Sequence, residues 1–418
     1  MANIISCRVS GGSHRFKSLF FTSLGHFSND LNTLLFSILI TYYYRAFGIS
    51  LALLGVVAIL STVSSGLLSI PVGSYADRSG KHAHLMAVGI AIIGISVILF
   101  ALSFVMQKAV MPLMVLASIT LGLGQSFYHP IGAAIIRITH KKDMASTLGI
   151  NGAFGSIGRS LLPAVLIPMI IFYGEPNALM LLAFYLLIAS AAIYSGLGFL
   201  REPKSLSRAH AARIGKSRVK AAMAKYKGML IVIIAMVFLR AMFLEGTLTY
   251  ISQYLVNELH SEIAMGFVLT IGFLAAIIGQ PVFGKLTELK GGKFTTTVTT
   301  VLSMVFFICF LISGSNLAID TATYALYVFT SFTGFPVLLG YVGQLVPKSI
   351  STKSNGLVWG LGNTVGGGLG LAVMAILLVH INLTLTMWIM TAFIAASTLL
   401  LPFLPGSKRK IKGFKEKA

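Results

Sequence analysis

Long apolar stretches alternate with short polar connections along almost the whole chain. A helix needs about 20 apolar residues to cross the hydrocarbon core of a bilayer. Backbone polar groups must be satisfied inside each segment in lipid, so these stretches predict helices rather than strands. Twelve transmembrane helices, numbered as spans 1 to 12, are predicted at residues 18–44, 49–73, 83–106, 109–136, 144–172, 176–199, 228–256, 261–284, 294–314, 318–345, 354–379 and 383–404.

Composition supports the same class of protein. Of the 418 residues, 56% are hydrophobic and only 10% are charged, and the mean hydropathy is +0.88. Ordinary soluble domains carry about 25% charged residues. The predicted fold class is therefore an all-α membrane protein, and the spans leave no room for a sizeable soluble domain.

The net charge of +21 is high enough to suggest a nucleic-acid partner. The placement of the basic residues argues against one. With the N-terminus in the cytoplasm, all Lys and Arg except Arg45, Lys108, Arg159 and Arg240 fall in inner loops or tails. This asymmetry follows the positive-inside rule. It predicts an integral plasma membrane protein with both termini cytoplasmic, in contact with anionic lipid and without bound nucleic acid.

Other sequence features limit the chemistry. Residues 1–17 lack the apolar core and cleavage site of a signal peptide, so span 1 is expected to be retained. Cys7 and Cys309 are far apart, which predicts neither a disulfide nor a cysteine metal site. No G-x-x-x-x-G-K-[ST] phosphate loop is present in the sequence. We expect a protein that is not an enzyme, has no cofactor and is driven by a gradient.

A strongly basic segment at residues 200–227 separates the first six spans from the last six. The predicted domains are an N-terminal bundle at 1–199, a cytoplasmic linker at 200–227 and a C-terminal bundle with a basic tail at 228–418. The linker is expected to be solvated, with a basic amphipathic helix on the membrane surface as the alternative.

The loops after spans 2 and 8 are similar to each other, with a glycine, an acid and a second glycine at matching offsets, which indicates an internal repeat. The first loop, GSYADRSGK, resembles the signature loop of the major facilitator superfamily. That resemblance implies two six-helix bundles, and loops that latch the two halves on the inner side. The residues for which it implies this gating role are Gly73, Asp77, Arg78, Gly80, Lys81, Gly284, Glu288 and Gly291, and a plain basic turn is the alternative.

Two further motifs resemble the fosmidomycin-resistance branch of that superfamily. They are GHFSND at residues 25–30 in span 1 and FYHP at residues 127–130 in span 4. The resemblance implies proton-coupled drug export. The chain departs from the branch at Gly158-Arg159 in span 5, where a Gly-Pro pair is usual.

Four ionisable residues lie near the middle of three spans, although a charge at a helix centre costs about 2.5–3.5 kcal/mol. Counted along their helices at about 1.5 Å per residue, Asp30 and Arg159 reach similar depths and can pair. The pair is interpreted as a proton-coupling element, with a static link between spans 1 and 5 as the alternative. The other two are Arg240 and Glu245.

Two histidines lie close to the depth of Asp30. His26 precedes it by one helical turn, and His129 lies at a similar level in span 4. Histidine exchanges protons near neutral pH, so His26, Asp30 and His129 are predicted to form a proton path. The alternative is that each histidine hydrogen-bonds a neighbouring helix. A metal site is not expected, because a third clear ligand is missing.

Span 7 carries a cation, a hydroxyl and aromatic rings on one helical face, which is typical of a solute-facing wall. Its members are Arg240, Phe243, Thr247, Tyr250 and Tyr254. Helix packing is the alternative for the rings. Glu245 points away from Arg240 and is expected to face another helix or the outer vestibule. The family resemblance adds Gln125 in span 4 with Tyr341 and Gln344 in span 10, because these spans line the cavity in that family.

These features together predict a secondary transporter that works by alternating access around a midplane site. The expected activity is proton-coupled export of small amphiphilic or anionic compounds by a monomer. An importer or uniporter of an organic anion or sugar is the closest alternative. A membrane receptor that binds without transport is the alternative from another class, and an intramembrane enzyme would need a nucleophile that the sequence does not show.

Overall fold

The computed structural model describes residues 12–140, 143–200 and 216–406, so Cys7, most of the basic linker and the basic tail lie outside the described residues. The described chain is helical. The helices are α1 Gly12–Leu31, α2 Leu35–Phe47, α3 Leu51–Ser79, α4 His82–Val105, α5 Val110–Thr139, α6 Met144–Tyr173, α7 Glu175–Gly196, α8 Lys216–Leu259, α9 Glu262–Lys290, α10 Gly292–Leu311, α11 Leu317–Ser331, α12 Gly334–Leu345, α13 Lys348–Leu357, α14 Gly366–His380 and α15 Leu383–Leu399.

The predicted all-α membrane fold with twelve transmembrane helices is confirmed. In the described part of the chain, ten spans are long and apolar enough to cross a membrane. Spans 1 and 10 are not among these ten, and each consists of two helices: α1 with α2, and α11 with α12. Span 11 comprises α13, a π-helical segment at Val358–Val365 and α14, and each remaining span is one helix.

The two interruptions have local causes. In span 1 the Nδ2 atom of Asn32 donates to the carbonyl of Ser28 at 2.8 Å, and the chain forms a 3-10 turn at Asn32–Leu34. Side-chain hydrogen bonds of this kind compete with regular helix geometry. In span 10, Pro336 has no N–H to donate to the carbonyl of Phe332, which favours a break there.

The first and last six spans form two bundles that meet along three pairs of helices. Span 1 packs on span 7, span 2 on span 11, and span 5 on span 8. Small residues allow this close approach, as at Gly66, where a Cβ atom would collide with Thr364. The pairing repeats between the halves, as expected for a pseudo-symmetric molecule.

The loops after odd-numbered spans lie at one end of the molecule, the Glu262 face, and those after even-numbered spans lie at the other end, the Asp77 face. Near the Glu262 face, Arg45 pairs with Glu262, and the Tyr42 hydroxyl donates to the same carboxylate at 2.8 Å. Deeper in the interface, the hydroxyls of Ser37 and Ser252 lie 2.9 Å apart. These contacts join the bundles and close the Glu262 face.

Breaking the Arg45–Glu262 pair is expected to open that face more often. Arg45 is 57% exposed, so the loss is about 1 kcal/mol or less, which shifts the populations by up to roughly fivefold. The measurement is labelling of Ser252→Cys by a membrane-impermeant thiol reagent, with both native cysteines replaced by serine. Labelling should rise with Glu262→Gln and stay constant with Glu288→Gln, whose pair with Lys285 joins residues of one helix. Equal labelling in all three proteins would show that the pair does not hold this face closed.

Candidate functional site

Asp30 is the centre of an ionic cluster where spans 1, 4 and 5 meet. Its Oδ2 atom lies 3.1 Å from Nη2 of Arg159 and 3.3 Å from Nε2 of His26. Its Oδ1 atom lies 3.8 Å from Nε2 of His129. Asp30 is 4% exposed. The structure therefore brings together all four residues that the sequence suggested for proton coupling.

The spacing of residues in spans 1 and 5 builds this cluster. His26 and Asp30 are four residues apart and share one helix face. Span 5 presents glycines to that face: a Cβ atom at Gly155 would lie 2.5 Å from Nε2 of His26, and one at Gly158 would lie 2.5 Å from the carbonyl of Phe27. The two helices therefore approach closely enough for Arg159 to reach Asp30.

Three polar residues that sequence reasoning missed complete the cluster. Asn29 donates from Nδ2 to Oδ1 of Asp30 at 2.9 Å. The ring of Tyr128 stacks on that of His26 with centroids 4.6 Å apart. Asn151 contacts His26 through its backbone and side-chain oxygens. These residues could have been identified in the sequence as polar side chains at one depth in otherwise apolar spans.

The side chains of the cluster differ in how much of their surface is exposed. The His129 side chain is 61% exposed, that of Arg159 is 18% and that of Asp30 is 6%. Gln125, one turn from His129 in span 4, is half-buried. Since the Glu262 face is closed, we conclude that solvent reaches His129 from the Asp77 face. His129 thus lies between that solvent and the buried carboxylate.

Arg240 occupies a different environment from the predicted open wall. It is 5% exposed, and its Nη2 atom donates to the carbonyl of Ser331 at 2.8 Å. That carbonyl belongs to the last turn of α11, just before the break in span 10. A cation at a helix C-terminus is favourable, because free carbonyls concentrate partial negative charge there. Arg240 therefore stabilises the interrupted helix inside the C-terminal bundle.

The aromatic face of span 7 is also buried, which corrects the prediction of a solute-facing wall in this conformation. Phe243 packs edge-on against Phe307 with centroids 4.8 Å apart, and Tyr254 packs on Phe310 at 5.5 Å. The Thr247 hydroxyl donates to the carbonyl of Phe243. Aromatic rings stabilise helix contacts by burying a large apolar area, so the packing alternative describes these residues.

The remaining candidates of the C-terminal bundle tie helices together. The Tyr250 hydroxyl donates across the bundle interface to the carbonyl of Leu51 at 3.0 Å. The Tyr341 hydroxyl donates to the carbonyl of Pro405 at 2.6 Å. Gln344 donates to the carbonyl of Thr287 at 3.0 Å. In this conformation, tertiary packing places these three side chains in contacts within the protein rather than along a cavity.

Glu245 is a candidate from the C-terminal bundle that lies within electrostatic range of the cluster. It is half-buried, packs against Gly367 of span 11 and interacts electrostatically with Arg159. Of the two expected positions, another helix or the outer vestibule, the structure therefore places Glu245 against another helix. Arg159 thus pairs with Asp30 of its own bundle at 3.1 Å, while Glu245 of the other bundle lies within the range of its charge.

The two predicted gating loops are held within their own halves. Asp77 is exposed and lies 3.3 Å from Nε2 of His82. In the second loop, Lys285 pairs with Glu288 at 3.1 Å. Among the described residues, neither acid contacts the other half in this conformation, which agrees with a closed Glu262 face. Of the other loop residues, Arg78 and Lys81 are exposed, Gly73 and Gly284 are half-buried, and Gly80 and Gly291 have φ of 69° and 89°.

Two bundles of six membrane-spanning helices with charged groups near mid-depth define the architecture of a solute carrier. The family model of the Major Facilitator Superfamily matches residues 22–358 and 233–418, and the chain belongs to that superfamily of membrane transporters.

Two known proteins show the extent of the similarity. The fosmidomycin resistance protein of Escherichia coli (strain K12) is 24% identical over 396 residues, which are 93% of this chain and 92% of that protein. A crystal structure of a mutant of the nucleoside transporter NupG matches with a TM-score of 0.72 at 14% identity, over 93% of this chain and 99% of the other. The second likeness shows the fold alone.

Proposed function

We propose that this transporter is proton-coupled and exports small amphiphilic or anionic compounds by alternating access. The Asp30 cluster supports the proposal most directly. A buried carboxylate that contacts a cation and two histidines, one of them exposed, can bind a proton and exchange it with solvent. The name of the fosmidomycin resistance protein supports export.

Coupling of export to protons follows from Asp30 by linkage. An amphiphilic or anionic solute that donates a hydrogen bond to Asp30 competes with the proton, because the solute binds the ionised carboxylate and the proton converts it to the neutral acid. Competition for one site drives the two species in opposite directions across the membrane. Export of amphiphilic compounds is consistent with such competition.

Import of an organic anion or sugar is the second candidate. The part-exposed guanidinium of Arg159 supports the organic anion as the imported solute. An anion bound to Arg159 would weaken the Arg159–Asp30 pair and increase the proton affinity of Asp30. Coupling free energy is reciprocal, so proton and anion would then favour each other's binding. They would travel together, and a proton gradient would drive uptake.

The test uses purified protein in liposomes loaded with radiolabelled fosmidomycin, and parallel liposomes loaded with a nucleoside. An inward proton gradient should accelerate release of the exported compound, and a protonophore should remove the acceleration. Gradient-driven uptake instead would support the importer. Solute movement that ignores the gradient in both directions would exclude proton coupling, and binding without counterflow would indicate a receptor.

We also propose that the Asp77 face and both termini are cytoplasmic in the cell membrane, with residues 200–227 linking the bundles 1–199 and 228–418. The placement of basic residues in loops of that face supports this orientation. Labelling of a cysteine introduced near Lys81 only after permeabilisation is expected. Labelling of this cysteine in intact cells would show that the protein has the opposite orientation.

A further inference from the structure

The hydrogen bonds around His26 determine where its ring carries a proton. Its Nδ1 atom lies 2.8 Å from the backbone oxygen of Asn151 and 3.0 Å from Oδ1 of the same residue. A backbone carbonyl accepts hydrogen bonds and never donates, so Nδ1 must be the donor. The amide agrees with this arrangement, since its Oδ1 also accepts from the Tyr128 hydroxyl at 2.8 Å and its Nδ2 faces Oγ of Ser23 at 3.4 Å.

With Nδ1 protonated, a neutral His26 has an unprotonated Nε2 that can only accept. That atom faces Oδ2 of Asp30 at 3.3 Å, and an ionised carboxylate also only accepts. Two acceptors opposed in a buried site are unfavourable. A proton between them removes the conflict, either as a carboxylic acid donating to imidazole or as an imidazolium donating to carboxylate.

We infer that His26 and Asp30 together hold one dissociable proton between Nε2 and Oδ2, and that span 5 enforces this through the Asn151 carbonyl and the open space at Gly155. The inference rests on the proposed proton coupling and specifies its binding site. Asn151 and Gly155 are positioning residues, because they act on the proton through His26.

The other charged or titratable groups near this pair define the route of the proton. Span 4 contributes Tyr128 and the exposed His129, and span 5 contributes Arg159, whose Nη2 atom lies 3.1 Å from the same Oδ2 atom. When the shared proton leaves, His129 is the neighbouring base that reaches solvent, 3.8 Å from Oδ1. The loaded cluster carries one positive charge more than the unloaded one, so its attraction for a solute changes with the proton.

The first test reads the tautomer in the wild-type protein. Histidine is labelled with ¹⁵N, the reconstituted protein is studied by solid-state NMR, and the His26 signals are identified by their absence in His26→Gln. Neutral His26 is expected to carry its hydrogen on Nδ1. Neutral His26 with its hydrogen on Nε2 would overturn the inference, whatever the outcome of the transport assay.

The second test fills the space in span 5. A Cβ atom at Gly155 would lie 2.5 Å from Nε2 of His26 and 2.7 Å from Oδ2 of Asp30, so Gly155→Ala must displace the pair. At Gly152, one turn away, the nearest atom is Oε1 of Gln280 at 3.7 Å, an ordinary contact. Gradient-driven transport is expected to fall about 10- to 100-fold in Gly155→Ala and to be unchanged in Gly152→Ala.

The variant should also change the His26 spectrum, which a general packing defect elsewhere would not do. Wild-type transport and an unchanged His26 signal in Gly155→Ala would overturn the inference. If Gly155→Ala does not fold, the inference is tested by the NMR measurement of the His26 tautomer in the wild-type protein. A wild-type protein that ignores the proton gradient would instead overturn the proposed function, so the two failures are distinguishable.

Discussion

Asp30→Asn is expected to abolish gradient-driven transport, because the amide cannot take up and release a proton in the relevant pH range. The solute should still exchange across the membrane without a gradient if the binding site remains intact. The measurement is release from loaded liposomes with and without an inward proton gradient. The gradient should no longer accelerate release from liposomes with the variant, and its effect should equal that on liposomes without protein.

The same substitution also lowers stability, and this effect must be separated from coupling. Replacing the carboxylate by an amide would leave the Arg159 guanidinium without its 3.1 Å anionic partner in a largely buried site. Removing one member of a buried ion pair costs about 3–5 kcal/mol. The double variant Asp30→Asn/Arg159→Gln removes both charges and is expected to recover much of that stability without recovering coupling. Gradient-driven transport by either variant would show that Asp30 is not the proton carrier.

Gly370→Ala is expected to destabilise the C-terminal bundle. A Cβ atom at Gly370 would lie 2.5 Å from Cα of Met242 and would collide with the carbonyl oxygen of the same residue. These are backbone atoms of span 7, so spans 7 and 11 must separate as whole helices. Overpacking of this kind costs about 1–3 kcal/mol. The measurement is thermal unfolding of the detergent-solubilised protein.

Gly368→Ala is the matched control for that prediction. It lies in the same helix two residues earlier, and no atom comes within 4 Å of an added Cβ atom. Alanine is favoured over glycine inside a helix by about 0.5–1 kcal/mol. The two variants should therefore change the melting temperature in opposite directions. Equal melting temperatures would show that the close contact between Gly370 and Met242 is not maintained in the protein.

The sequence predicted the features that depend on local physics. The length of the apolar stretches gave the number of spans, because lipid requires every backbone group to be satisfied within a helix. The four-residue interval between His26 and Asp30 placed both side chains on one helix face. Counting depth along spans 1, 4 and 5 was enough to expect Asp30, Arg159 and the two histidines at one level.

The rotation of each helix about its axis was decided by the tertiary structure. In a membrane, the surfaces that face lipid and those that face other helices are both apolar, so hydrophobicity does not orient a span. The aromatic face of span 7 therefore allowed two interpretations, and only packing against Phe307 and Phe310 distinguished them. The same uncertainty concealed Asn151 and the approach of Glu245 to Arg159.

The sequence by itself determined the membrane-spanning helices, their number and the shared depth of the central charges, since these depend on segment length and residue spacing. The tertiary structure alone decided which charges meet. Span 5 approaches span 1 because glycines remove the side chains between them, which places Arg159 and Asn151 beside Asp30 and His26. Arg240 does not join these charges, because it donates to a carbonyl of a different helix in its own bundle, at the break in span 10.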